Sequence, residues 1–480
     1  MREFTLTRKI GFLAGPILCF FLLWAPFEII NPEIDHVLAV TIWMVIWWIT
    51  EAVSISVTAL IPLALFPLLD LGSIKDVASN YANPIVYLFF GGFVIALALE
   101  KVQLHKRIAL SILKVTGTKA NGIILGFMIA TALMSMWISN TASTVVMLPI
   151  AVSVINLLID DTDGFTKNDR NFALSIMLGI AFSANIGGMS TLIGTPPNSV
   201  MLAFLNESYN IDIGFFQWMQ MGVPFALAMM VITYVAITRL FFPNRLGNIG
   251  GSGDIIQSEL DKLGKMSRGE KTVLVIFLLT AAAWMLRSYL NALLPNISLT
   301  DTTIAVIAAL LMFIVPLDFK TGSFPLDWKD TSRLPWGILI LFGGGLALAS
   351  GLKDAGFISM IGDYISNQTS WSMWIVTAVL IFLMLFMTEL MSNVALVTIL
   401  VPLVVGIAIG MDVPILQMVI PVTLASSCAF MLPMATPPNA IVFASGHVRV
   451  DQMARIGIVL NIISVGLLFA IAYYIVPLLF

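Results

Sequence analysis

Charge is what this sequence has least of. Asp, Glu, Lys and Arg make up 11% of the 480 residues, against about a quarter in an ordinary soluble domain, while 59% are hydrophobic. A water-soluble globule is excluded. Only two cysteines occur, Cys19 and Cys428, both in apolar segments, which excludes a disulfide framework and a Cys-based metal site. The three histidines, His36, His105 and His447, are isolated from one another and read as loop residues, so they form no metal centre. No Gly-x-x-x-x-Gly-Lys-Ser/Thr run is present, which leaves an ATP-driven pump without a phosphate cradle. Gly343-Gly344-Gly345 lacks the lysine and reads as close helix packing. An enzyme is not expected either, because no Ser with His and no paired Asp fall together within the apolar segments.

What is present is a series of apolar blocks long enough to approach or cross a hydrocarbon layer of ~30 Å. Spans are expected near residues 10–30, 36–53, 54–70, 82–100, 172–205, 217–241, 272–294, 302–317, 336–350, 414–445 and 452–479. Two further apolar stretches, 122–158 and 371–410, are read as leaving the membrane on the side they entered. With the N-terminus cytoplasmic, only Lys75, Arg287 and Lys353 of the 24 Lys+Arg then lie outside, as the positive-inside rule requires. This predicts a multi-pass protein of the cell (inner) membrane with an external C-terminus. The polar stretch 242–271 holds no soluble domain and reads as a cytoplasmic linker with an amphipathic helix near 255–263.

The chain repeats itself. Leu88-Phe89-Phe90-Gly91-Gly92 recurs as Ile340-Leu341-Phe342-Gly343-Gly344 at an offset of 252, and Ser139-Asn140 with Pro149 recurs as Ser392-Asn393 with Pro402 at an offset of 253. Thr195-Pro196-Pro197-Asn198 recurs as Thr436-Pro437-Pro438-Asn439 at an offset of 241. Five spans separate the start of the first copy from that of the second, so the halves enter from opposite faces. The expected fold is an all-α polytopic membrane protein of about 11 transmembrane helices plus two re-entrant helical hairpins in an inverted repeat, an architecture of secondary transporters.

Each hairpin places a polar tip between apolar arms, and each Pro-Pro pair must break a long apolar helix. Ordinary helices with one polar contact, or plain kinks, are the simpler readings of a single copy; their recurrence at repeat-related positions favours a binding site. No Lys, Arg or His lies in either tip or either break. An anionic substrate would therefore be balanced by helix N-termini, amides, hydroxyls and bound cations. Sodium fits oxygens from Ser135, Ser139, Asn140 and the Gly194 carbonyl in one half, and from Thr388, Asn393 and the Ala435 carbonyl in the other. Glu389, whose counterpart is Met136, is read as a helix-end residue bonded to neighbouring backbone, with proton coupling as the alternative. Glu51, after Trp47-Trp48-Ile49-Thr50, reads as an interfacial residue.

These residues resemble the divalent anion:sodium symporter family of dicarboxylate, citrate and sulfate carriers. The likeness runs from Trp47-Trp48-Ile49-Thr50-Glu51-Ala52 through both Ser-Asn tips and both Pro-Pro-Asn runs to the last helix. It implies a homodimer of scaffold and transport domains moving as an elevator: 1–119 and 242–368 as scaffold with the linker, 120–241 and 369–480 as transport domain. It assigns Ser135, Ser139, Asn140 and Gly194 to one sodium ion and Thr388, Asn393 and Ala435 to a second. Asn140, Thr141, Thr195, Pro196, Asn393, Thr436 and Pro437 would meet substrate, with Val394 at the place where the family pattern has a third tip residue, Thr. That departure removes a hydroxyl from the second tip. The resemblance implies sodium-coupled uptake of a C4-dicarboxylate such as succinate, with no cofactor beyond co-transported sodium. A sodium-independent exchanger and a sodium-coupled citrate or sulfate carrier are the alternatives.

Overall fold

The computed structural model describes residues 5–24, 30–159, 165–368 and 372–480. It is helical throughout, and among the described residues nine helices are long and apolar enough to cross a membrane, or ten if a bent pair counts as one span. Part of the first expected span, 25–29, lies outside the described residues, as do the boundary at 369 and the first residue of the second hairpin, 371.

Several spans are not the single rods that hydropathy implies. The stretch expected at 54–70 consists of two short helices, Ile55–Thr58 and Ile61–Leu68, and the one at 272–294 bends by 77° between Arg268–Met285 and Arg287–Leu293. Helix starts follow from local chemistry. Thr166 and Asp169 form a capping box at Lys167–Gly188, and Ser267 and Glu270 form one at Arg268–Met285, each satisfying two otherwise orphaned backbone donors. Pro32 and Pro84 open their helices at the first position, where the missing N–H costs nothing.

The hairpins are helix–turn–helix units: Ala120–Ser135 with Asn140–Ile159, and Met373–Met387 with Asn393–Gly410. The long apolar helices expected over 172–205 and 414–445 are broken, into Lys167–Gly188 and Pro196–Tyr209, and into Ile415–Ala425 and Pro437–Ala444. Phe215–Val235 and Val450–Ala470 each run on into a π-helical turn, Ala236–Phe241 and Ile471–Ile475. The repeat thus extends to local backbone form.

Helices also lie where the sequence reading placed only loops, among them a repeat-related pair. Leu104–Thr116 and Phe357–Gln368 precede the two hairpins in equivalent places and are amphipathic. Their polar residues recur at helical spacing, and this hides them from a scan for continuous apolar runs. His105 is therefore not in a loop but buried on the first of these helices, with Nδ1 at 3.0 Å from the Leu99 carbonyl. His36 is likewise helical, within Pro32–Thr50. The amphipathic linker helix is present as Ser252–Leu263 and is tied down by Arg107, which reaches Glu270 at 2.5 Å and the Gly264 and Leu263 carbonyls at 3.0 and 3.2 Å. Arg107→Ala leaves the buried Glu270 carboxylate without its counter-ion, held by the Ser267 N–H alone among these bonds, and is expected to destabilise by about 1–3 kcal/mol. A thermal melt of the purified protein checks this.

Candidate functional site

At the first tip, Ser135 ends one arm and Asn140 begins the next, with the Met136–Ser139 turn between them. Ser135 Oγ lies 2.5 Å from Asn140 Oδ1 and 2.7 Å from the Ala184 carbonyl of the neighbouring broken helix. The second tip repeats this: Thr388 Oγ1 lies 2.7 Å from Asn393 Oδ1 and 2.6 Å from the Ser426 carbonyl. Each hydroxyl has one hydrogen and two acceptors within reach. Each tip therefore gathers three oxygens around a single proton, an electron-rich cluster of neutral groups of the kind hard cations prefer. Ser135 and Thr388 are fully buried, while Asn140 and Asn393 are half-buried.

Not every predicted oxygen joins these clusters by hydrogen bond. Ser139 Oγ accepts from the Ala142 N–H at 3.1 Å and caps the first turn of its arm on the exposed side. Gly194 is close to the cluster through Gly188: a Cβ on Gly194 would meet the Gly188 carbonyl oxygen at 2.5 Å, and one on Gly188 would meet Asn140 Oδ1 at 2.5 Å. Ala435 sits in the second break, its N–H donating to the Leu432 carbonyl. The Ala184 and Ser426 carbonyls were not foreseen, and no side-chain pattern marks a backbone oxygen.

The breaks run from Met189 to Thr195 and from Ser426 to Thr436. Asn198 Nδ2 donates to the Thr191 carbonyl at 2.9 Å, and Asn439 Nδ2 to the Leu432 carbonyl at 3.1 Å. Both pairs differ by the same 241 residues as the Pro-Pro-Asn runs. The asparagine of each run therefore ties down its own break. The proline pairs occupy first helical positions, so they start the second half-helices at no cost in hydrogen bonds. Thr195 and Pro196, and Thr436 and Pro437, lie at those N-termini, where the backbone dipoles amount to about half a positive charge. Thr195 and Thr436 are buried, Pro196 half-buried and Pro437 exposed.

The halves cross. The arm Asn140–Ile159 packs on Pro437–Ala444, and Asn393–Gly410 packs on Pro196–Tyr209. Each tip's outgoing helix thus lies against the half-helix of the other repeat. Thr141 is exposed and Val394 half-buried at the corresponding tip positions. Asn185, which the sequence reading did not single out, joins the halves: its Nδ2 lies 3.1 Å from Thr436 Oγ1 and 3.4 Å from both Asn439 Oδ1 and the Ala429 carbonyl. A polar residue deep in the apolar run 172–205 was the available signal. Asn185→Ala strands a buried acceptor on Asn439 and is expected to cost about 1–3 kcal/mol. A lowered thermal midpoint of the purified protein checks this.

Glu389 is no part of either triad. The residue is 2% exposed and its carboxylate is bonded to the backbone of the second break, in line with its reading as a backbone-bonded helix-end residue. Glu51, in the left-handed region at φ 46°, caps its helix and accepts from Arg8 at 2.9 Å. Among the described residues no group of three His, Cys, Asp or Glu side chains could hold a metal ion. The sites on offer are built of neutral oxygens.

Residues 10–480 match the sodium:sulfate symporter transmembrane region. The chain is 36% identical over 482 residues to the sodium-dependent dicarboxylate transporter SdcS of Staphylococcus saprophyticus, a match covering 99% of this chain and 93% of that one. It is 36% identical to SdcS of Staphylococcus aureus strain USA300, covering 99% and 92%. Among solved structures, the YdaH transporter of Alcanivorax borkumensis superposes with a TM-score of 0.56 at 13% identity, over 84% of this chain and 88% of that one. MtrF of Neisseria gonorrhoeae superposes with a TM-score of 0.53 at 12% identity, over 95% and 97%. These two share the fold. Taken with the paired hairpins and broken helices, the full-length match means that this chain belongs to the sodium:sulfate symporter family, the divalent anion:sodium symporters.

Proposed function

We propose that this chain carries a C4-dicarboxylate such as succinate into the cell together with sodium ions. Family membership gives sodium-coupled carriage of small anions; the substrate, the direction and the residues are our reading. The observation that carries it is the pair of oxygen triads, Ser135–Asn140–Ala184 and Thr388–Asn393–Ser426. Each takes one sodium ion, with Gly194 and Ala435 supplying further carbonyls and Ser139 closing the first site from outside. The dianion then sits between the tips, against Asn140, Thr141, Thr195 and Pro196 and against Asn393, Val394, Thr436 and Pro437.

Charge arithmetic favours the coupling. A dianion entering a negative interior is opposed by ~2.3 kcal/mol per charge per 100 mV, and neither tip nor break offers a basic side chain. Two sodium ions cancel that charge. The name of the staphylococcal relatives, sodium-dependent dicarboxylate transporter, supports the dicarboxylate. Hairpins and broken helices 120–241 and 369–480 would travel as one body past a scaffold of 1–119 and 242–368, in a homodimer.

Sulfate is the second reading, favoured by Val394, which puts no hydroxyl at the second tip. Uptake of labelled succinate into proteoliposomes under a sodium gradient, compared with potassium, tests both coupling and substrate. Accumulation above equilibrium only with sodium supports the proposal, and equal flux in both salts rejects symport. Excess sulfate that abolishes the flux, with citrate and fumarate ineffective, would transfer the site to sulfate.

A further inference from the structure

The two tips are built alike and charged unlike. In the second, Glu389 follows Thr388, and its Oε1 accepts from the Phe430 and Met431 N–H groups, both at 2.9 Å, and from Asn461 Nδ2 at 2.7 Å; Oε2 accepts from the Leu432 N–H at 3.0 Å. In the first tip the equivalent position is Met136, whose carbonyl accepts from Thr191 Oγ1 at 2.6 Å. Thr191 and Leu432 are themselves repeat partners at the 241 offset. The same junction of tip and break is closed by a neutral bond in one half and by a carboxylate in the other.

Four donors meet the two oxygens of Glu389. An ionised carboxylate accepts from all of them, whereas a carboxylic acid turns its own hydrogen toward a donor. Asn461 adds a side-chain donor to the three backbone N–H groups of the break. Among the described residues none of the ion pairs includes Glu389. Backbone dipoles hold the charge in place without cancelling it.

We infer that Glu389 makes the two cation sites unequal: its fixed negative charge, one residue from Thr388, causes the Thr388–Asn393–Ser426 site to hold sodium more tightly and to fill before the Ser135–Asn140–Ala184 site. The inference rests on the sodium-symport reading above. A full charge on the residue next to a ligand of a poorly screened cation changes that cation's affinity by on the order of tenfold or more. Loading is therefore ordered by a residue that touches neither ion, and Glu389 is a positioning charge rather than a ligand.

Equilibrium binding of radioactive sodium to the purified full-length protein, without dicarboxylate, tests this. The wild type is expected to show two components about tenfold apart. Ser135→Ala should keep the tight component and Thr388→Val the weak one. Glu389→Gln should move the tight component to about the weak value and leave the weak one in place, with the melt in potassium reporting the fold. If the glutamine variant does not fold, the two triad variants still decide which site is the tighter, and a tight component that belongs to the Ser135 triad overturns the inference. Loss of the tight component in Ser135→Ala, or a tight component unchanged in Glu389→Gln, overturns the inference while leaving symport intact. A wild type that binds no sodium overturns the symport reading itself.

Discussion

Asn140→Ala and Asn393→Ala are each expected to abolish sodium-driven accumulation of dicarboxylate. Each asparagine oxygen lies within 2.7 Å of the hydroxyl that organises its triad. Its loss leaves that hydroxyl donating to a single carbonyl and the cation short of a ligand. A bond to a charged partner is worth about 1.5–3 kcal/mol, or 10- to 100-fold in sodium affinity. The effect on transport is larger, because each asparagine also lies at the N-terminus of an arm, on the side expected to face substrate. Initial uptake rates against sodium concentration measure it: the apparent sodium requirement should rise and the maximal rate collapse. Wild-type accumulation in the double alanine variant would end the proposed site.

Gly344→Ala should be among the most damaging small changes to the fold. A methyl group there would sit 2.1 Å from the Ala59 carbonyl oxygen, which already accepts from the Tyr81 hydroxyl at 2.5 Å. The obstacle is backbone, so relief requires moving a helix. The expected cost is about 3 kcal/mol, read as a lowered thermal midpoint and a poor yield of monodisperse protein. Gly466 is the control. It also lies inside a helix, Val450–Ala470, but an added methyl group meets nothing within 4 Å. Gly466→Ala should be neutral or slightly stabilising, since alanine is the better helix former by about 1 kcal/mol. Equal effects at both positions would show that the close approach at Gly344 does not limit packing.

The contrast between these glycines shows where the sequence stops being legible. Gly344 belongs to a repeated Phe-Gly-Gly run and reads as a packing site, yet only the neighbouring helix fixes which atom blocks it. The Ser-Asn tips and Pro-Pro-Asn breaks are legible because a polar or donorless residue is conspicuous in an apolar run. The amphipathic helices Leu104–Thr116 and Phe357–Gln368 escaped because polar residues at helical spacing interrupt their apolar runs. The carbonyls of Ala184 and Ser426 leave no mark in the sequence: any residue has one, and only the break beside it determines where it points.

By itself, then, the sequence determined the solvent, the repeat and the identity of the polar side chains set into the apolar segments, because burial in lipid tolerates so few departures that each is readable. The tertiary structure alone decided which oxygens converge. It set Ser135 between Asn140 and a carbonyl 49 residues away, turned Ser139 out to cap its own arm, and enclosed Glu389 in the amides of a break 41 to 43 residues on. Such convergence depends on how helices cross and where they interrupt, and crossing is a property of packed surfaces rather than of any one segment.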